Sequence, residues 1–212
     1  PLGVHVVTEQ AKRPSAVTAW ISIVPRALIY FVVARLSLAL IEPVTGITAV
    51  WPAGGLLLAY LMTVPRAQWP GLVTAVLLAD LAAGLWAGNP FTLQLAYTLV
   101  TCAEALLGYR LLCAAVGPEF EFRTVRFIVA LFTLNSVLVP TLGALAAMGL
   151  AFLISPQMVQ TSFADWAVSD GVGVLLVAPL VLAFSEWIRK GRRVERAAIL
   201  EVLALIVVVV AA

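Results

Sequence analysis

The stretch FADWAVSDGVGVLLVAPLVLAFSEWI, residues 163–188, decides how the rest of the chain is read. It is long and apolar enough to cross a bilayer, yet Asp170 lies inside it and Asp165 near its start. A carboxylate within hydrocarbon costs roughly 2.5–3.5 kcal/mol on insertion, so it rarely persists without a partner or a task. On a helix, Trp166, Asp170, Gly173 and Val177 follow at i, i+4, i+7 and i+11 and share one face. Gly173 leaves room on that face for a second helix to come close. Pro179 removes one backbone hydrogen bond and is expected to kink the helix toward its far end. The other spans are expected to pack around this face.

Working outward, composition places the whole chain in a membrane. Of 212 residues, 63% are hydrophobic and 11% charged, and the mean hydropathy is +1.07. A soluble domain carries about 25% charged residues, so this balance does not solvate a globule. The formal charge of +2 is too small to suggest nucleic acid, and it is spread between the apolar runs. Cys102 and Cys113 fall on one expected helix about 16 Å apart, too far to bridge.

The expected fold is all-α, a polytopic helical bundle with seven spans. They cover about residues 20–41, 47–64, 69–86, 91–116, 124–154, 163–188 and 197–212. The run 124–154 is too long for one straight span, and loop charge settles how to read it. Basic residues mark cytoplasmic loops. If the run is one tilted helix kinked near Pro140, the clusters at the N-terminus, Arg66, Arg110 to Arg126 and Arg189 to Arg196 all fall on one side. One long helix is therefore expected, with residues 1–19 as a cytoplasmic tail and residues 20–212 as a single transmembrane domain. The last segment covers about 24 Å, short of a roughly 30 Å hydrocarbon core. A longer parent protein is expected, with an eighth span and a cytoplasmic output domain.

Catalytic chemistry finds little to use. The one histidine, His5, lies in the N-terminal tail, so no metal cluster and no cofactor are expected. There is no G-x-S-x-G and no phosphate-binding loop. The intramembrane polar set is more informative. Asp80, Glu104 and Asp170 face one basic residue at comparable depth, Arg35. In one reading Arg35 pairs one acid, and the others are protonated or bonded to Asn135, Tyr97 or a hydroxyl. In the other, surplus acids line a cavity that receives a cation, an amine or a proton. Trp51-Pro52-Ala53-Gly54-Gly55 is the second feature. It reads as an interfacial helix start, like Trp69-Pro70-Gly71, or as a broken helix aiming free N–H groups into the bundle. Gly84, Gly108, Gly143 and Gly149 are expected to be helix-packing contacts.

At these residues the chain resembles a known family. The succession AVWPAGGLLLAYLM, QWPGLVTAVLLADL, TCAEALLGYRLL and DWAVSDGVGVLLVAPLVL is similar to the membrane-associated sensor domain of type one, MASE-one. The shared positions are Trp51, Pro52, Gly55, Trp69, Pro70, Gly71, Glu104, Gly108, Trp166, Asp170, Gly173 and Pro179. Asp80 departs from the pattern, standing where a neutral Asn is expected. The resemblance implies the input module of bacterial histidine kinases and diguanylate cyclases, in the inner membrane with a cytoplasmic N-terminus. It implies a two-state bundle that relays a stimulus to an output domain.

Together, residues and resemblance give a sensor that binds a small solute or a membrane protein partner in a pocket built from the second, fourth and sixth spans. Its expected ligand-binding residues are Trp51, Pro52, Gly54, Gly55, Asp80, Glu104, Asn135, Trp166 and Asp170, with Arg35 as a supporting charge. The lipid bilayer is the constant partner, a homodimer is expected in the intact receptor, and the segment itself is not expected to be an enzyme. The rival reading is the solute-binding subunit of a membrane transporter.

Overall fold

The computed structural model describes residues 16–39, 50–117, 124–154 and 163–189. These residues form six helices and no strand: α1 Ala16–Ala39, α2 Pro52–Thr63, α3 Trp69–Trp86, α4 Phe91–Val116, α5 Val125–Ile154 and α6 Phe163–Arg189. A 3₁₀ turn, Arg66–Gln68, leads into α3.

Five of the six are long and apolar enough to cross a membrane. Five of the seven expected spans are thus present among the described residues, and the second is represented by the short α2. α2 begins only at Pro52 and has 12 residues, about 18 Å, which is shorter than a roughly 30 Å core. Residues 40–49, where that span was expected to start, lie outside the described residues. So do the seventh expected span, 197–212, and the tail 1–15.

Residues 125–154 form one continuous helix, as the loop charges suggested. The irregularity near Pro140 is a π-helical stretch, Leu131–Leu138, inserted just ahead of it. There Val139 N–H donates to the Leu134 carbonyl, five residues back. Pro140 has no N–H, so it ends that register and leaves the Asn135 carbonyl without the next donor in it.

Backbone contact through glycine holds the centre together. The Trp51 N–H donates to the Ser169 carbonyl at 2.9 Å, tying the start of α2 to the middle of α6. A Cβ on Gly173 would strike the Trp51 carbonyl, and one on Gly55 the Gly173 carbonyl. A Cβ on Gly171 would strike the Ser136 carbonyl of α5. α2, α5 and α6 therefore meet main chain to main chain, which only small residues allow.

The turn joining α3 to α4 explains their antiparallel pairing. Gly88 N–H bonds the Leu85 carbonyl at 3.0 Å and Asn89 N–H the Gly84 carbonyl at 3.1 Å. Gly88 has φ +93°, the left-handed conformation that closes a helix in a Schellman motif. Tyr30, Leu57, Leu58, Leu61, Leu72, Val76, Leu112 and Phe127 fill the core. Leu28, Val32, Leu36, Leu78, Leu145, Leu153 and Leu180 point outward and exposed, a belt suited to hydrocarbon rather than water.

Candidate functional site

On α4, Tyr97, Thr101, Glu104 and Gly108 recur at i, i+4, i+7 and i+11 and share one face. On α6, Trp166 and Asp170 are one turn apart. Where these faces meet, the carboxyl groups of Glu104 and Asp170 come within hydrogen-bonding reach of each other. A bond between them needs a proton on one of the two, because ionised carboxylates only accept. The Trp166 indole N–H donates to Glu104 Oε1 at 3.3 Å. Its ring packs edge-on against Tyr97, with centroids 5.1 Å apart.

Beside the acid pair is a small cavity. Gly54 and Leu58 of α2, Thr101, Glu104 and Ala105 of α4, Asn135, Val139 and Pro140 of α5, and Asp170 and Val174 of α6 line it. About 20 Å³ of it is open to a water-sized guest, room for one water. The cavity lies where the second, fourth and sixth spans meet, and has a fourth wall in α5, at its π-helical stretch. Asn135 is 2% exposed, and its Nδ2 has no hydrogen-bond partner among the described residues. A buried amide left in that state costs about 1–3 kcal/mol, so it invites a partner.

Gly54, Glu104, Asn135 and Asp170 are therefore brought together, with Trp166 bonded to the pair. Trp51, Pro52 and Gly55 serve the same region differently. Trp51 is the N-cap residue of α2, Pro52 opens the helix, and Gly55 rests on the backbone of α6. The motif starts a helix, as the first sequence reading had it; residues 40–49, on which the broken-helix reading depends, lie outside the described residues.

Asp80 is not part of this cluster. It accepts from the Tyr30 hydroxyl at 3.0 Å, the Thr98 hydroxyl at 2.5 Å and the Gln94 amide at 3.3 Å. Asn89 Nδ2 donates in turn to Gln94 Oε1 at 2.8 Å. α1, α3 and α4 are joined by this node, in which Tyr30, Asp80, Gln94 and Thr98 are all buried. Among the described residues Arg35 does not pair an acid either: it donates to the Ala83 carbonyl at 3.2 Å. Its guanidinium lies over the Trp86 ring, 5.3 Å from the centroid.

Three of the four glycines expected at helix-packing contacts stand at them, and Gly149 does not. A Cβ on Gly84 would overlap the Gln94 amide, one on Gly108 the Asn135 Oδ1, and one on Gly143 the Glu104 carboxyl. Each of these three seats a polar side chain of the neighbouring helix. Gly149 has nothing near it within 4 Å. Thr101, Tyr30, Gln94 and Thr98 are the residues that sequence reasoning passed over. Thr101 was findable from its helical spacing to Glu104, and Gln94 and Thr98 form an i, i+4 pair. Nothing in the sequence links Tyr30 to Asp80, fifty residues away.

No curated protein matches the chain, and no solved structure matches it. A family profile described as MASE1 matches residues 23–212. Helices long and apolar enough to cross a membrane, and a match over most of the chain, agree: this protein belongs to the MASE1 family of membrane sensory input domains.

Proposed function

We propose that this chain is the input module of a bacterial receptor, a histidine kinase or a diguanylate cyclase. It sits in the inner membrane with its N-terminus in the cytoplasm and acts within a homodimer. A small solute or membrane partner acts on the cavity beside Glu104 and Asp170, and α6 relays the change toward a cytoplasmic output domain. One observation carries this reading. An acid pair within hydrogen-bonding reach, an unpartnered buried amide and an interrupted helix meet at one cavity. Buried polar groups are costly in hydrocarbon, and such a concentration marks function more often than packing. The lining comes from four helices, so a guest there can bias how α2, α4, α5 and α6 sit together.

The test is output from the intact receptor carrying Glu104→Gln or Asp170→Asn. Signalling is expected to be lost in both while expression and membrane insertion persist. Unchanged signalling in both would make the pair structural and remove the proposal.

A further inference from the structure

We propose that the guest of this cavity is a proton together with one water molecule, held between the Glu104–Asp170 pair and Asn135. This rests on the sensory reading above and names its stimulus.

Size comes first. The cavity admits about 20 Å³ of guest, and a single water needs roughly 10–15 Å³ by that measure. A sugar or an amine with a carbon skeleton does not fit. The lining then separates water from a bare cation. Donors surround the acids: Asn135 Nδ2 is unsatisfied, and the Trp166 N–H already points at Glu104. Gly54 lies in the first turn of α2, which has no side-chain cap. The first N–H groups of such a helix have no acceptor within it, and its start carries positive potential. A metal ion or ammonium would meet these donors and be repelled. Water accepts from Asn135 Nδ2 and donates to a carboxylate oxygen, so it serves both sides.

Charge supplies the second half. A hydrogen bond between the acids needs one proton, and a second neutralises the pair. That proton passes from hydronium to the free carboxylate oxygen, leaving a neutral carboxyl and a water. The neighbouring groups leave this change uncompensated. Arg35 of α1 is engaged by Ala83 and Trp86. Tyr30 of α1 bonds Asp80 of α3, itself within electrostatic reach of Asp170. α4 adds Tyr97 and Cys102, and α6 adds Asp165 farther toward its start. α2 and α5 present Gly54, Asn135 and Ser136, none of them ionisable.

The experiment is infrared difference spectroscopy of the chain reconstituted in liposomes, titrated in sodium chloride and in choline chloride. A protonated-carboxyl C=O band is expected to rise and fall reversibly with pH. It should shift in heavy water and be the same in both salts. Glu104→Gln and Asp170→Asn should each remove that titration, and Asp80→Asn should keep it. Asn135→Leu should keep the band but move its frequency, which also covers the case in which an acid variant fails to fold. A band that does not titrate, or that persists in both acid variants, overturns the proposal. Suppression by sodium alone also overturns it, in favour of a cation site. A titrating band with pH-independent receptor output would sink the sensory reading and leave the proton site. Receptor output without a titrating band would do the reverse.

Discussion

Asp80 and Asp170 are both buried aspartates of one bundle, and their neighbours give them different work. Three donors from two helices satisfy Asp80, so it locks α1, α3 and α4. Tyr30→Phe removes one donor and is expected to cost about 1–3 kcal/mol, read as a lower midpoint in thermal unfolding in detergent. An unchanged midpoint would show that the hydroxyl is dispensable. Asp170 instead meets another acid, beside an amide with nothing to hold. The seat of Glu104 is equally specific. Gly143→Ala pushes the carboxyl off its place and is expected to change Trp166 fluorescence, because Trp166 is bonded to Glu104. Gly149→Ala, with open space around it, is the silent control.

At the scale of elements, α2 and α6 meet through Gly55 and Gly173. Either glycine to Ala places a methyl against a carbonyl of the other helix, and backbone cannot move aside as a side chain can. Overpacking of this kind costs about 1–3 kcal/mol. Both variants are expected to unfold earlier in a denaturant titration, and a silent Gly173→Ala would mean that the helices slide freely. α5 behaves differently, because Pro140 and the π stretch let it turn Asn135 inward. Pro140→Ala restores the missing N–H and is expected to draw residues 131–138 toward α-helical register. Hydrogen exchange at Thr141 and its neighbours reads that change.

For the whole molecule, alternation of helices puts Arg66 and Gly117 at one end and the Gly88-Asn89-Pro90 turn at the other. The proposed orientation puts the side with Arg66 in the cytoplasm, because basic residues favour that side. In a Cys113→Ser background, Asn89→Cys is expected to react with an impermeant maleimide on intact cells, and Arg66→Cys only after permeabilisation. The opposite pattern would invert the topology. The exposed apolar belt around the bundle fits either orientation, so only labelling decides it.

The sequence by itself determined the membrane class, the helical fold and most helix limits, because hydropathy and the turn residues act locally. Trp51-Pro52 and Trp69-Pro70 mark helix starts, and Gly88 a helix end, without reference to any partner. It also singled out Glu104 and Asp170, since charge in an apolar run is visible in one dimension. Tertiary structure alone decided which polar groups meet. Depth along a helix follows from residue count, but the direction in which its neighbour lies does not. Hence Arg35 turned to Ala83 and Trp86, Asp80 to Tyr30, and Glu104 to Asp170. The glycines show the same limit: their smallness is legible, and whether a backbone or a side chain fills the space depends on the helix packed against them.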